Sequence, residues 1–198
     1  MVSSADLSKS ALLLIDIQNG FRTNPSYFGS LPRSTPSFEK NVNALLAAFR
    51  ALRCPNIIHV YHLSTHAESP LHPTNEEGQS FAPYALPQDG ELKISKNVNS
   101  AFIGTNLEAV LRERGIERLF VGGITTDQCV STSVRMAANL GVAKEIILIE
   151  DATATFGKGK WDAETIKDVN LASLDGEFCG VRGTEEVLSL LGVEKNNS

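Results

Sequence analysis

The chain has 198 residues, 42% hydrophobic and 21% charged, with a formal net charge of -5; this suffices for one domain over residues 1 to 198 with a polar tail from about 194. The acidic balance argues against nucleic acid and against an anionic membrane surface as partners, because both require a basic patch. The first ten residues lack the basic region of a secretion signal and the apolar run 11 to 15 is too short to span a bilayer, so a cytoplasmic location is expected.

Residues 10 to 16 read SALLLID, a continuous apolar run ending on an acid, the pattern of a strand buried on both faces by helices. Gly20, Asn24, Pro25, Gly29, Pro32 and Pro36 crowd residues 17 to 36 and predict a loop over the sheet edge. Val42, Leu45, Leu46, Phe49 and Leu52 recur at helical spacing over 38 to 53, with Ser37 as N-cap and Pro55 beyond the end. Residues 57 to 63 form a second predicted strand, and 64 to 90 a long loop with one short helix, a length that is usually functional or mobile.

A third strand is predicted over 91 to 95, and Thr105 and Glu108 have the spacing of a capping box that opens a helix closing at Gly115. Next come a strand over 118 to 123, a helix over 127 to 140 stopped by Gly141, and a strand over 144 to 150. A helix over 162 to 174, a short strand over 178 to 182 and a helix over 185 to 191 before Gly192 complete the order. This alternation predicts an α/β fold, a three-layer α-β-α sandwich around a six-stranded, mainly parallel, Rossmann-like sheet.

Asp16, Lys96 and Cys129 all fall where strands of this sheet end, and the crevice beyond those carboxyl ends is where open α/β sheets bind ligands. Cys129 lies in the first predicted turn of a helix, where unpaired N–H groups and the helix dipole lower a thiol's pKa and can hold an oxyanion. A carboxylate can take the thiol proton, and an ammonium can stabilise the thiolate and orient the carboxylate. Cys54 and Cys179 read as packing residues, and the three cysteines, without CxxC or zinc spacing, as free thiols in a reducing compartment.

His59 and His62 fall on opposite faces of their strand, and with His66 and His72 in the following loop they make no tight ligand set, so no metal is expected. Gly122 and Gly123 lack the GxGxxG spacing of a dinucleotide site. Phe21, Tyr27, Phe156 and Trp161 lie in or beside loops at the same sheet edge and are candidates to wall a substrate pocket.

In order along the chain, LLLIDIQNGF (12–21), SPLHP (69–73), Lys96 with NSAF (99–102), GGITTDQCV (122–130), EDATA (150–154) and LASL (171–174) resemble one family. It is the isochorismatase-like cysteine hydrolases, which include nicotinamidases, N-carbamoylsarcosine and ureidoacrylate amidohydrolases, and biuret hydrolase. The resemblance implies the isochorismatase-like fold, an Asp16, Lys96, Cys129 triad and a cis peptide between Ile124 and Thr125. It further implies an oxyanion hole from the N–H groups of Thr125 and Cys129, and substrate contacts from Gln18, Phe21, Tyr27, Phe156 and Trp161. Asp16 would accept the thiol proton and later protonate the leaving amine, and water would hydrolyse the thioester. A small-molecule substrate, no cofactor, and a homodimer or homotetramer follow from the same resemblance.

Metal-containing nicotinamidases resemble one another in an Asp-x-His pair after the second strand, where this chain has HLS (62–64). The expectation is therefore a metal-independent hydrolase of a small amide, imide or ureide. Two alternatives stand beside it: hydrolysis of isochorismate or a related vinyl ether with Asp16 as proton donor, and a non-catalytic relative that binds a metabolite or partner.

Overall fold

Six parallel strands form one sheet in the computed structural model, which describes residues 7 to 193, so the polar tail lies outside the described residues. The strands are β1 (Ser10–Ile15), β2 (Ile57–His62), β3 (Leu92–Lys96), β4 (Arg118–Ile124), β5 (Glu145–Ala154) and β6 (Gly180–Arg182). Their order is β3-β2-β1-β4-β5-β6, with every pairing parallel. The chain thus winds outward from β1 to one edge, returns, and winds to the other, which places a topological switch between β1 and β4.

The helices are α1 (Gly20–Thr23), α2 (Phe38–Ala51), α3 (Glu76–Gln79), α4 (Leu107–Glu113), α5 (Ser131–Leu140), α6 (Ala163–Leu174) and α7 (Thr184–Leu190). Leu12 and Leu14 of β1 pack with Leu45 and Phe49 of α2 and with Val187 of α7, while Leu13 and Ile15 pack with Leu111 of α4, Val134 of α5 and Leu171 of α6. This period-two division makes a three-layer sandwich and explains why all six residues of β1 are buried. No helix among the described residues is long and apolar enough to cross a membrane.

Several local expectations are corrected. Residues 17 to 36 contain α1 and a 3-10 turn at Pro25–Tyr27 rather than loop alone. Ser37 does occupy the N-cap position of α2, but its hydroxyl accepts from Asn41 Nδ2 instead of a backbone N–H. The Thr105 hydroxyl accepts from Leu107 N–H and donates to Ala101 O, an ordinary local turn without the reciprocal Glu108 bond of a capping box. β5 runs on to Ala154, because a register shift opposite Val121 and Gly123 lets it bend and continue. A Cβ at Gly122 would sit 2.8 Å from Ala152 O, so the approach of β5 to β4 requires glycine there.

Candidate active site

The end of β1 departs from strand geometry at the first residue that carries chemistry. Strict alternation would send Asp16 to the face of Leu12 and Leu14, away from Lys96. Instead Asp16 has φ +54°, a left-handed conformation uncommon outside glycine, while its N–H still donates to Val60 O at 2.8 Å. The carboxylate reaches the face where Ile94 and Cys129 pack. Gly123 makes room for this turn: with φ +140°, a Cβ there would sit 2.1 Å from Ile15 O.

Lys96, the last residue of β3 rather than the first beyond it, carries its ammonium across the end of β2. Its Nζ lies 2.6 Å from Asp16 Oδ2, 3.1 Å from Val98 O, 3.2 Å from His62 Nδ1 and 3.3 Å from Cys129 Sγ. Burial pulls the Lys96 pKa down, but the Asp16 carboxylate and then the Cys129 sulfur outweigh it, and the net direction is up. Asp16 Oδ1 is buried without a hydrogen-bond partner among the described residues.

Cys129 sits in a π turn, Thr126–Val130, between β4 and α5. The Ile124–Thr125 peptide is cis, and Thr125 O accepts from the N–H groups of both Gln128 and Val130. Ser133 Oγ donates to Cys129 O at 2.6 Å and accepts from Ala101 N at 2.9 Å, tying the segment after β3 to the cysteine turn. Asn99 Nδ2 lies 3.6 Å from the sulfur.

The electrostatics reverse one expectation. Burial, and next the Asp16 carboxylate, push the Cys129 thiol up to about 12, with Lys96 opposing them. Cys129 is only 8% exposed and has an acid beside it, and both favour the neutral thiol. Desolvation also raises Cys54 and Cys179, both buried free thiols.

The expected substrate contacts divide into three kinds. The Gln18 side chain is consumed by structure: Nε2 donates to His62 O and Gln79 O at 3.0 and 2.8 Å, and Oε1 accepts from His62 N–H at 2.7 Å. Phe21 and Phe156 are buried and gather around Phe28, with Phe21 and Phe28 centroids 4.0 Å apart. Tyr27 and Trp161 are exposed, and Trp161 borders a cavity of about 420 Å³ beside Leu31, Arg33 and Glu164. A second cavity, about 510 Å³, opens beside Lys96 between Ser64, His72 and Asn97.

His59 and His62 do face apart: His59 pairs with Glu91 at 2.8 Å, and His62 turns to Lys96. Sequence reasoning missed His62 and Asn99 as neighbours of the triad. The signal for His62 was its register pairing with Lys96, which only sheet order reveals.

Comparison with known proteins agrees with this architecture. The Isochorismatase domain matches residues 10–174. The isochorismatase family protein YrdC of Bacillus subtilis is 37% identical over 186 residues, covering 91% of this chain and 95% of that protein. A crystal structure of an isochorismatase-family hydrolase from Chromobacterium violaceum superposes with a TM-score of 0.85 at 40% identity, covering 93% of this chain and 94% of that one. Ureidoacrylate amidohydrolase RutB of Agrobacterium fabrum is 36% identical over 100 residues, 48% of this chain and 42% of that protein. With the domain matched over most of its length and a parallel six-stranded sheet of the same form, this chain belongs to the isochorismatase family of hydrolases.

Proposed function

We propose that this hydrolase cleaves a C–N bond of a small amide, imide or ureide through a covalent thioester or thiocarbamate on Cys129. The observation that carries the reading is the Lys96 ammonium, within hydrogen-bond reach of both Asp16 Oδ2 and Cys129 Sγ and shielded from solvent. The likeness to ureidoacrylate amidohydrolase RutB supports the choice of a C–N bond.

The chemistry follows from the protonation states. A thiol raised to about 12 is protonated at neutral pH, and forming its thiolate in advance costs several kcal/mol. Proton removal is therefore coupled to attack. Asp16, whose Oδ1 has no other partner among the described residues, takes the thiol proton as Sγ bonds to the substrate carbonyl carbon. The N–H groups of Thr125 and Cys129 hold the oxyanion, and Lys96 balances the negative charge shared by Asp16 and the sulfur. Asp16 then gives its proton to the leaving nitrogen as the C–N bond breaks. Water, deprotonated by Asp16, attacks the acyl carbon, and Cys129 departs and is reprotonated.

A cytoplasmic location belongs to the same reading, supported by three free cysteines, and so does a homodimer or homotetramer, which rests on the family resemblance alone. Ammonia release from a panel of ureides, amides and imides tests the activity. Cys129→Ala should lose turnover on any panel substrate by roughly 10⁴-fold or more. Retained turnover in that variant, on the panel or on a vinyl ether, contradicts the mechanism.

A further inference from the structure

Four acceptors surround the Lys96 ammonium, which has three hydrogens to give: Asp16 Oδ2, Val98 O, His62 Nδ1 and Cys129 Sγ. The carboxylate and the carbonyl are the nearer two, and both are stronger acceptors than a thiol sulfur. One hydrogen remains for two claimants, the imidazole at 3.2 Å and the sulfur at 3.3 Å. A lysine ammonium only donates, so this contact is a hydrogen bond in the tautomer that carries the lone pair on Nδ1 and the proton on Nε2.

We propose, resting on the catalytic reading above, that His62 is a positioning residue that takes this ammonium hydrogen in the resting enzyme and so leaves Cys129 waiting as a thiol. When the thiol proton passes to Asp16 the sulfur becomes the stronger acceptor, and the hydrogen turns from His62 to it. No bond to carbon changes in this exchange, and the ammonium keeps all its hydrogens paired throughout.

Two further features show that the imidazole is built into the site. Gln18 clamps the His62 main chain on both sides, accepting from its N–H and donating to its carbonyl, and Leu63 N–H donates to Lys96 O at 2.8 Å. His62 and Lys96 are also register partners on β2 and β3, so their side chains share a face. The charged groups facing His62 are the Lys96 ammonium and the Asp16 carboxylate. Burial, and then Lys96, hold the imidazole below its ordinary pKa, against the Asp16 carboxylate and a hydrogen bond to Val98 O, and this favours the neutral ring the proposal needs.

The test needs no substrate: iodoacetamide labelling of Cys129 against pH, read by peptide mass, with Cys54 and Cys179 in the same digest reporting any general loosening. In His62→Leu three acceptors remain for three hydrogens, the sulfur gains one permanently, and the rate of Cys129 labelling between pH 7 and 9, below its midpoint, should rise about tenfold. His62→Asn, whose amide oxygen offers an acceptor near the Nδ1 position, should keep the wild-type rate. An unchanged Cys129 rate in His62→Leu overturns the proposal, as does a His62→Asn rate that matches His62→Leu. A rate increase shared by Cys54 and Cys179 also overturns it, because that pattern reports exposure. Should His62→Leu not fold, a Cys129 rate in His62→Asn raised about tenfold or more overturns the proposal by itself. Turnover of Cys129→Ala decides the catalytic reading separately, so either can fail alone.

Discussion

Lys96 and Asp16 meet at 2.6 Å with both side chains wholly shielded from solvent, although β2 lies between the strands that carry them. Removing one partner of such a pair leaves an uncompensated buried charge. Lys96→Met should therefore destabilise the fold by about 3–5 kcal/mol in urea unfolding at pH 7. The double variant Lys96→Met with Asp16→Leu should lose much less than the sum of the single losses. Additive losses would show that the two charges do not depend on each other.

The raised thiol gives stability a defined alkaline limb. An unfolded thiol ionises near 9.0, whereas folded Cys129 holds its proton to about 12, so between these values the folded state binds more protons. Its contribution is complete below pH 9 and is lost as pH rises, at about 1.4 kcal/mol per pH unit for each such thiol. Lys96 acts with the same sign, since its ammonium is held above the ordinary 10.5 and its contribution is lost as pH passes the raised value. Urea midpoints between pH 9 and 11 should fall steeply for the wild type and less steeply for Cys129→Ala. Equal slopes would place the Cys129 pKa near that of a free thiol.

Gly123 has no room for a side chain, since its Cβ would lie 2.1 Å from Ile15 O at φ +140°. Gly123→Ala should cost roughly 3 kcal/mol or more and displace the turn that aims Asp16. A urea midpoint within error of wild type would mean that the ends of β1 and β4 separate freely.

Gln18→Leu removes three hydrogen bonds and leaves the N–H and carbonyl of His62 without their side-chain partner. A loss of about 2–4 kcal/mol is expected in urea unfolding. Because Gln18 is 1% exposed and occupied by backbone groups, its variants should lower kcat with little change in KM. A large rise in KM alone would restore it as a substrate contact.

The aromatic residues should separate in the same way. Phe156→Ala empties a fully buried site and should cost about 3–5 kcal/mol, whereas Trp161→Ala, at 55% exposure, should change stability by less than about 0.5 kcal/mol. Trp161 then qualifies as a pocket wall only if its variant raises KM.

Where the sequence was legible, the reason is physical. Parallel strands covered on both faces must be continuous apolar runs, which is why β1, β2, β4 and β5 stood out, and Gly141 stops α5 in a left-handed cap with φ 58°. Asp16, Lys96 and Cys129 were legible together because each falls at, or in the turn after, the end of a predicted strand. The rest depended on partners that sequence spacing does not name. Ser37 and Thr105 found local acceptors and donors other than those of a cap, and Gln18 spent its amide on β2. His62 gained its place only through its register with Lys96. The thiol was misread because its position on a helix was visible, while its burial beside Asp16 was not.

Acid quenching of a steady-state reaction on the best panel substrate, followed by peptide mass analysis, tests the central claim most directly. The account predicts an acyl or carbamoyl adduct on the peptide containing Cys129, absent in Asp16→Asn, with Cys54 and Cys179 unmodified. Rapid turnover without an adduct on Cys129, together with activity in Cys129→Ala, would contradict it.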